Sequence, residues 1–342
     1  MPASALNYAF DSPPAAGQTR EIYPGLLWVR HSLPMALDHI NVWLLSDTEK
    51  CVIVDTGINT RSSREAWFNL LDTHAQNKLV ERVIATHLHP DHCGLAGWLT
   101  KQHDCPLYMT RTEYLLCRTL CLDSSLEVPQ EALDFYHAAG LNDAQLKDYC
   151  KAFGGFGRAV TPLPPSFRRL QDGDHLELAS EPWSVIVGTG HSPEHACLYN
   201  ERRNVLISGD QILPRISSIV AVWPTEPCAN PLADWLSSCR DLRSRIPDDT
   251  LILPSHGLPF YGAKARLTQL IDEHESLLEK LHDRCRHPQR VIDVFDILFK
   301  SKIDDSNLVM AVGESIAHFN HLLDRGLVVK TRDEAGVDWY EQ

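Results

Sequence analysis

Short runs of β-branched residues, leucine and aromatics recur along the chain, and most of them stop at a turn carrying glycine, aspartate or histidine. Runs at 26–30, 40–45 and 51–54 are of this kind, as are those ending at 85, 187, 207 and 253. Their length and composition predict strands, with 51–54 buried on both faces. Stretches with helical spacing lie between them. Ala66, Trp67, Leu70 and Leu71 mark a helix over 61–77, and Leu267, Leu270, Ile271, Leu277, Leu278 and Leu281 mark an amphipathic one over 263–283. Residues 108–165 are long for a connection and read as a helical insert, with helices at 112–120, 130–139 and 143–153. After 262 the pattern gives a linker at 284–289, helices at 291–299 and 307–323, and a hairpin of 327–330 with 337–340. Residues 1–20, whose first part is rich in alanine, proline and serine, read as a loose leader. The chain shows no repeat and no low-complexity tract. Strands alternating with helices predict an α/β fold.

One stretch stands apart. Directly after the apolar run ending at Ala85, His87, His89, Asp91 and His92 fall within six residues, and a helical run follows from Cys93. On an extended segment His87 and His89 face the same way. Asp91 and His92 then turn the corner and point at a neighbouring spot. Imidazole nitrogen and carboxylate oxygen suit zinc, and iron or manganese also accepts them. The same arrangement recurs as single residues: His191 after 183–187, Asp210 after 204–207 and His256 after 250–253, each beside a glycine. Strand-end turns are where α/β folds place chemistry, because the sheet is rigid and the turn is free to vary.

Together these blocks resemble the metallo-β-lactamase superfamily, whose signature is HxHxDH, over about residues 22–262. The resemblance implies an αββα sandwich, two β-sheets flanked by helices, for residues 21–262, with the insert at 108–165. It implies a first metal site of His87, His89 and His191 and a second of Asp91, His92 and His256, with Asp210 bridging them. Asp55, in an Asp-Thr-Gly turn, resembles the outer carboxylate that orients a ligand histidine. The cofactors implied are two divalent ions, zinc first, with iron or manganese tolerated. Residues 263–342 resemble a small winged-helix module, as in the group that includes the mitochondrial β-lactamase-like endoribonuclease.

Composition narrows the partners. The net charge of −13 weighs against nucleic acid, whose binding is driven by basic patches. The N-terminus has no secretory signal pattern, and no apolar run approaches the roughly 20 residues needed to span a bilayer. The 10 cysteines are scattered without a Cys-x-x-Cys pair, so free thiols in a cytoplasmic protein are expected. The expected partner is a small-molecule substrate, with a homodimer allowed and no membrane.

The resemblance implies a binuclear hydrolase in which a hydroxide shared by the two ions attacks a carbonyl. Bound zinc lowers the pKa of water from about 15.7 to about 7. Asp91 is cast as both ligand and proton acceptor, and no serine or cysteine nucleophile is required; Cys93 reads as a buried helix residue. The stretch from Gly190 to His195 resembles the Gly-His-Thr-Pro-Gly-His of hydroxyacylglutathione hydrolases, with Glu194 where that family has glycine. A thioester of the acyl-CoA or acylglutathione type is therefore expected ahead of a lactone. A metal-dependent ribonuclease and a mononuclear-iron sulfur dioxygenase remain as alternatives. Flavodiiron enzymes, which carry glutamate where this chain has His89, are disfavoured. Candidate substrate contacts are Arg215, which suits an anionic group, and the insert aromatics Tyr149, Phe153 and Phe156. His39 reads as a structural histidine.

Overall fold

The computed structural model describes residues 6–35, 37–124 and 127–342. Its strands are, in chain order, β1 (Asn7–Tyr8), β2 (Thr19–Tyr23), β3 (Leu26–Ser32), β4 (His39–Ser46), β5 (Lys50–Val54), β6 (Leu79–Ile84), β7 (Leu107–Met109) and β8 (Arg168–Arg169). They continue with β9 (His175–Leu178), β10 (Glu181–Gly188), β11 (His195–Asn200), β12 (Val205–Gly209), β13 (Leu251–Pro254), β14 (Phe260–Tyr261), β15 (Val329–Arg332) and β16 (Asp338–Glu341). One sheet runs β2-β3-β4-β5-β6-β7-β8 and the other β1-β14-β13-β12-β11-β10-β9, while β15 and β16 form a separate hairpin. The two sheets pack face to face with helices outside, the metallo-β-lactamase sandwich.

Side-chain alternation along the strands builds the three layers. Trp28, Trp43, Leu45, Val52 and Val54 of the first sheet meet Trp183, Val185, Leu198, Ile207 and Leu253 of the second. The alternate residues Val29, Val42, Leu44, Cys51 and Ile53 face outward into a second core with Trp67 and Leu99. On the far side Ile186, Cys197, Leu206 and Ile252 pack with Trp235, Leu267, Phe319 and Tyr340. The run 51–54 is apolar on both faces because both faces are covered.

The helices are α1 (Arg61–His74), α2 (Pro90–Cys93), α3 (Ala96–His103), α4 (Arg111–Asp123), α5 (Gln130–Ala138), α6 (Asp143–Ala152), α7 (Gly155–Ala159), α8 (Pro231–Arg245), α9 (Ala263–Arg284), α10 (Phe295–Leu298) and α11 (Leu308–Asp324). The helix predicted over 291–299 is instead a 3₁₀ turn, Val291–Val294, leading into α10. Its β-branched Val291, Ile292 and Val294 crowd a regular helix. Within the predicted leader, Asn7–Tyr8 pairs with Phe260–Tyr261 and Phe10 lies 5.8 Å from Trp28. No described helix is long and apolar enough to cross a membrane.

Most strand pairs are antiparallel, but β5–β6, β6–β7, β7–β8 and β12–β13 are parallel, and β5–β6 and β12–β13 bear on the site. The C-terminal ends of these two parallel pairs carry Asp55, the 86–92 turn, Asp210 and His256. The fold thus brings four distant stretches of chain to one edge of the sandwich.

Candidate metal centre

Four turns deliver seven donors to two adjoining groups. His87, His89, His191 and Asp210 place one donor atom each within 4.8 Å of one another, and so do Asp91, His92 and His256. In the first group His87 Nε2 is 2.9 Å from His89 Nδ1 and 3.2 Å from His191 Nε2. Asp210 spans the two groups. Its Oδ2 lies 3.2 Å from His191 Nε2. Its Oδ1 lies 3.4 Å from both His92 Nε2 and His256 Nε2. Asp91 Oδ2 is 3.4 Å from His256 Nε2 and 3.7 Å from His92 Nε2. Pro90 at the start of α2 sets the corner that turns Asp91 and His92 away from His87 and His89.

The outer contacts fix how the rings present themselves. His191 Nδ1 donates to the carbonyl of Ile219 at 2.7 Å, and His256 Nδ1 to that of His39 at 2.7 Å. A carbonyl only accepts, so both rings carry their proton on Nδ1 and turn an Nε2 lone pair to the centre. Asp55 Oδ2 lies 2.8 Å from His92 Nδ1. Its two oxygens also accept from the Thr86 amide at 2.8 Å and hydroxyl at 2.9 Å. Asp55 has φ +60°, a conformation aspartate tolerates better than most residues. His39 Nε2 accepts from the Gly257 amide at 2.9 Å, so it braces the turn that carries His256.

Electrostatics favour a cation. Asp55, Asp91 and Asp210 converge on the buried His92, and no lysine or arginine among the described residues pairs with any of them. Burial opposes charging Asp210 and Asp91, but the neighbouring histidines, His92 foremost, outweigh it and hold both below the ordinary carboxylate range. Burial likewise opposes a proton on His92, yet the Asp55, Asp210 and Asp91 carboxylates raise its pKa well above the usual value. His89 is pushed down to about 3 by burial and by His191. Burial, with nearby imidazoles, also lowers His87 and His195 strongly. The centre thus favours neutral His87 and His89, ionised Asp91 and Asp210, and positive charge at His92 and at His256, where burial is outweighed by Asp210 and Asp91. His92 Nε2 is buried without a hydrogen-bond partner among the described residues. An orphaned nitrogen facing two carboxylates, among donors of nitrogen and oxygen type, fits divalent metal binding.

Three further residues of the centre are not marked by the motif spacing. His195 Nε2 accepts from the Asp210 amide at 3.1 Å and so holds the bridging residue. It lies against Gly209, where an added Cβ would meet His195 Nε2 at 2.4 Å, and Gly209 has φ +50°; only glycine fits there. Ser255 donates its hydroxyl to Asp210 Oδ1. Glu113 of α4, fully buried, accepts from the Leu88 amide at 2.9 Å and the Glu194 amide at 2.8 Å. A lone acid in register with Cys117 and Cys121 on a helix face is the one sequence feature that sets Glu113 apart.

The substrate candidates are more dispersed. Arg215 is exposed and its Nε donates to the Tyr8 hydroxyl at 3.4 Å. Tyr149 packs on Tyr136, 4.5 Å between centroids, with Phe153 at 6.1 Å. Phe156 packs against the outer core of the first sheet, and its helix α7 touches α2, which carries Asp91 and His92. Cys93 is buried, with Sγ 3.7 Å from Cys117 Sγ, and all ten cysteines are free.

This fold and this donor set define a class. Residues 35–256 match the metallo-beta-lactamase superfamily, and residues 278–342 match the metallo-beta-lactamase-like C-terminal domain. The chain belongs to the metallo-β-lactamase superfamily. A beta-lactamase domain protein of Burkholderia ambifaria, known from a crystal structure, is 38% identical with a TM-score of 0.91, and the match covers 98% of each chain. The probable metallo-hydrolase YqjP of Bacillus subtilis is 23% identical over 299 residues, 86% of this chain and 91% of that one. Human acyl-coenzyme A thioesterase MBLAC2 is 24% identical over 261 residues, 74% of this chain and 84% of that one.

Proposed function

We propose that this protein is a binuclear metal-dependent hydrolase of acyl thioesters, of the acyl-CoA or acylglutathione type, with lactones as second substrates. The observation that carries the two-ion reading is Asp210, whose two oxygens face separate donor groups. His87, His89 and His191 would hold one ion, Asp91, His92 and His256 the other, and Asp210 both. Zinc ions bound there would supply Lewis acidity, making hydroxide available near neutral pH and polarising a carbonyl oxygen. The chain's own residues do the rest. Asp55, Ile219 and His39 orient the histidines through their Nδ1 atoms. Asp91 keeps its carboxylate ionised within the centre, where it serves as ligand and accepts the proton released as the nucleophile forms.

The thioester preference is supported by the printed activity of the MBLAC2 relative and by the resemblance of the 190–195 stretch to hydroxyacylglutathione hydrolases. The ten free thiols support a reducing, cytoplasmic setting. Arg215 and the aromatics Tyr149, Phe153 and Phe156 are proposed as substrate contacts, and a homodimer as the working assembly.

Metal analysis with a substrate panel tests this reading. Expected are about two zinc ions per chain, as two donor groups require, and hydrolysis of acyl-CoA or acylglutathione faster than of lactones. Cleavage of a fluorescent RNA, with no thioester turnover, would replace the reading by a ribonuclease. One iron per chain with persulfide oxidation would replace it by a sulfur dioxygenase.

A further inference from the structure

Glu113 belongs to the helical insert, not to the strand turns that carry the donors, yet it touches two of those turns. Its Oε2 accepts from the Leu88 amide at 2.9 Å, and Leu88 lies between His87 and His89. Its Oε1 accepts from the Glu194 amide at 2.8 Å, three residues beyond His191. One carboxylate therefore ties together the two chain segments that supply all three imidazoles of the first donor group. Among the described residues it makes no hydrogen bond to the segments of Asp55 or His256.

The tie is returned. The Glu194 carboxylate accepts from the Thr112 amide at 2.7 Å, in the first turn of α4. The Thr110 hydroxyl donates to the Glu194 carbonyl at 2.7 Å. Thr110 stands at the N-cap of α4 without capping it through its own side chain. Amides of a first helical turn lack partners within the helix and favour negative charge; Glu194 supplies both acceptor and charge from another part of the chain. This position is the one that departs from the glycine of the Gly-His-Thr-Pro-Gly-His pattern, and glycine could not make the contact.

We propose that Glu113 and Glu194 form a reciprocal clamp that positions the first donor group, so that the helical insert sets the affinity of the His87–His89–His191 site. Glu113 is a positioning residue. It is fully buried and each of its oxygens accepts from a backbone amide, so it holds backbone rather than meeting substrate. Glutamine at 113 retains one acceptor but turns an NH2 toward the other amide, which opens one side of the clamp. Alanine at 194 removes the cap of α4 and leaves the loop's backbone in place.

The clamp depends on the two-group reading of the centre but not on the substrate. The test uses the full chain, stripped with chelator and titrated with zinc against a competing dye, then with cobalt(II) followed by its visible absorption. Wild type is expected to take up two equivalents. In Glu113→Gln one equivalent should weaken about 10- to 100-fold, the range for outer contacts of metal ligands, and the other should be unchanged. The cobalt spectrum of the retained equivalent should match that of His89→Ala, which marks the weakened site as the first. If Glu113→Gln does not fold, Glu194→Ala carries the test: the same equivalent should weaken, by less, with faster hydrogen exchange at the Thr112 amide. Folded variants in which both equivalents weaken equally, or neither does, overturn the clamp and leave the two-group reading intact. Wild type that takes up no ion overturns both.

Discussion

The two donor groups share Asp210 but stand on different supports. His92 is braced by Asp55 at the end of β5, and His256 by the first residue of β4. Both braces belong to the first sheet, at its strands β4 and β5, which are buried on both faces. His191 instead gives its proton to Ile219, in a loop held from outside the sandwich. There Arg266 of α9 donates to the carbonyls of Leu213 at 2.6 Å and Ile216 at 2.9 Å. The Val222 amide donates to Gly313 of α11 at 3.0 Å, and the Ser217 hydroxyl lies 3.2 Å from His274 Nε2. Together with Glu113, these contacts add the insert and the C-terminal helices to the supports of the first group, which Asp55 also reaches through Thr86, 3.0 Å from His87 Nδ1. The second rests on the sheet. One half of the centre is therefore anchored on a sheet, and the other also on helices packed outside the sandwich.

Changes that ignore this division should have the largest effect. Asp210→Ala removes the residue common to both groups, so both ions should be lost, with thioester turnover at background; elemental analysis and a turnover assay check this. His89→Ala should abolish activity with the fold kept, judged by circular dichroism, and should leave one ion bound. Asp55→Asn tests the sheet-borne half: the second ion should bind about 10- to 100-fold more weakly and the first should weaken less, the opposite order to the Glu113 variant, in the same dye titration. Leu253→Ala, in the core between the sheets, should destabilise by about 2–5 kcal/mol in urea unfolding and still carry two ions. Arg215→Ala should do least. Its side chain is exposed and leans on Tyr8, so a rise in KM of less than about fivefold is expected, with kcat unchanged.

Much of this arrangement is legible in the sequence alone. The seven candidate donors sit in turns after strands, three of them beside a glycine, and the buried strands show in runs such as 51–54 that are apolar on every residue. Strands β8, β9 and β11 escaped because they are short or polar, or, for β11, begin at a histidine inside a motif. The supports of the donors were harder to see. A carbonyl such as that of Ile219 leaves no mark on residue type, and Glu113 is marked only by its register with Cys117 and Cys121 until the helix is docked. Side chains that act on ions announce themselves by kind and spacing; those that hold the backbone in place do so only through contacts across long sequence separations.

The exchange of amide contacts between Glu113 and Glu194 has a consequence for anyone recombining this chain with its relatives. Transplanting the 108–165 segment alone would bring in a new helix start opposite an unmatched glutamate. Transplanting the 190–195 loop alone would leave a buried acid facing a loop built for another neighbour. The two stretches form one heritable unit although about 80 residues lie between them, and chimeras should keep them from the same parent.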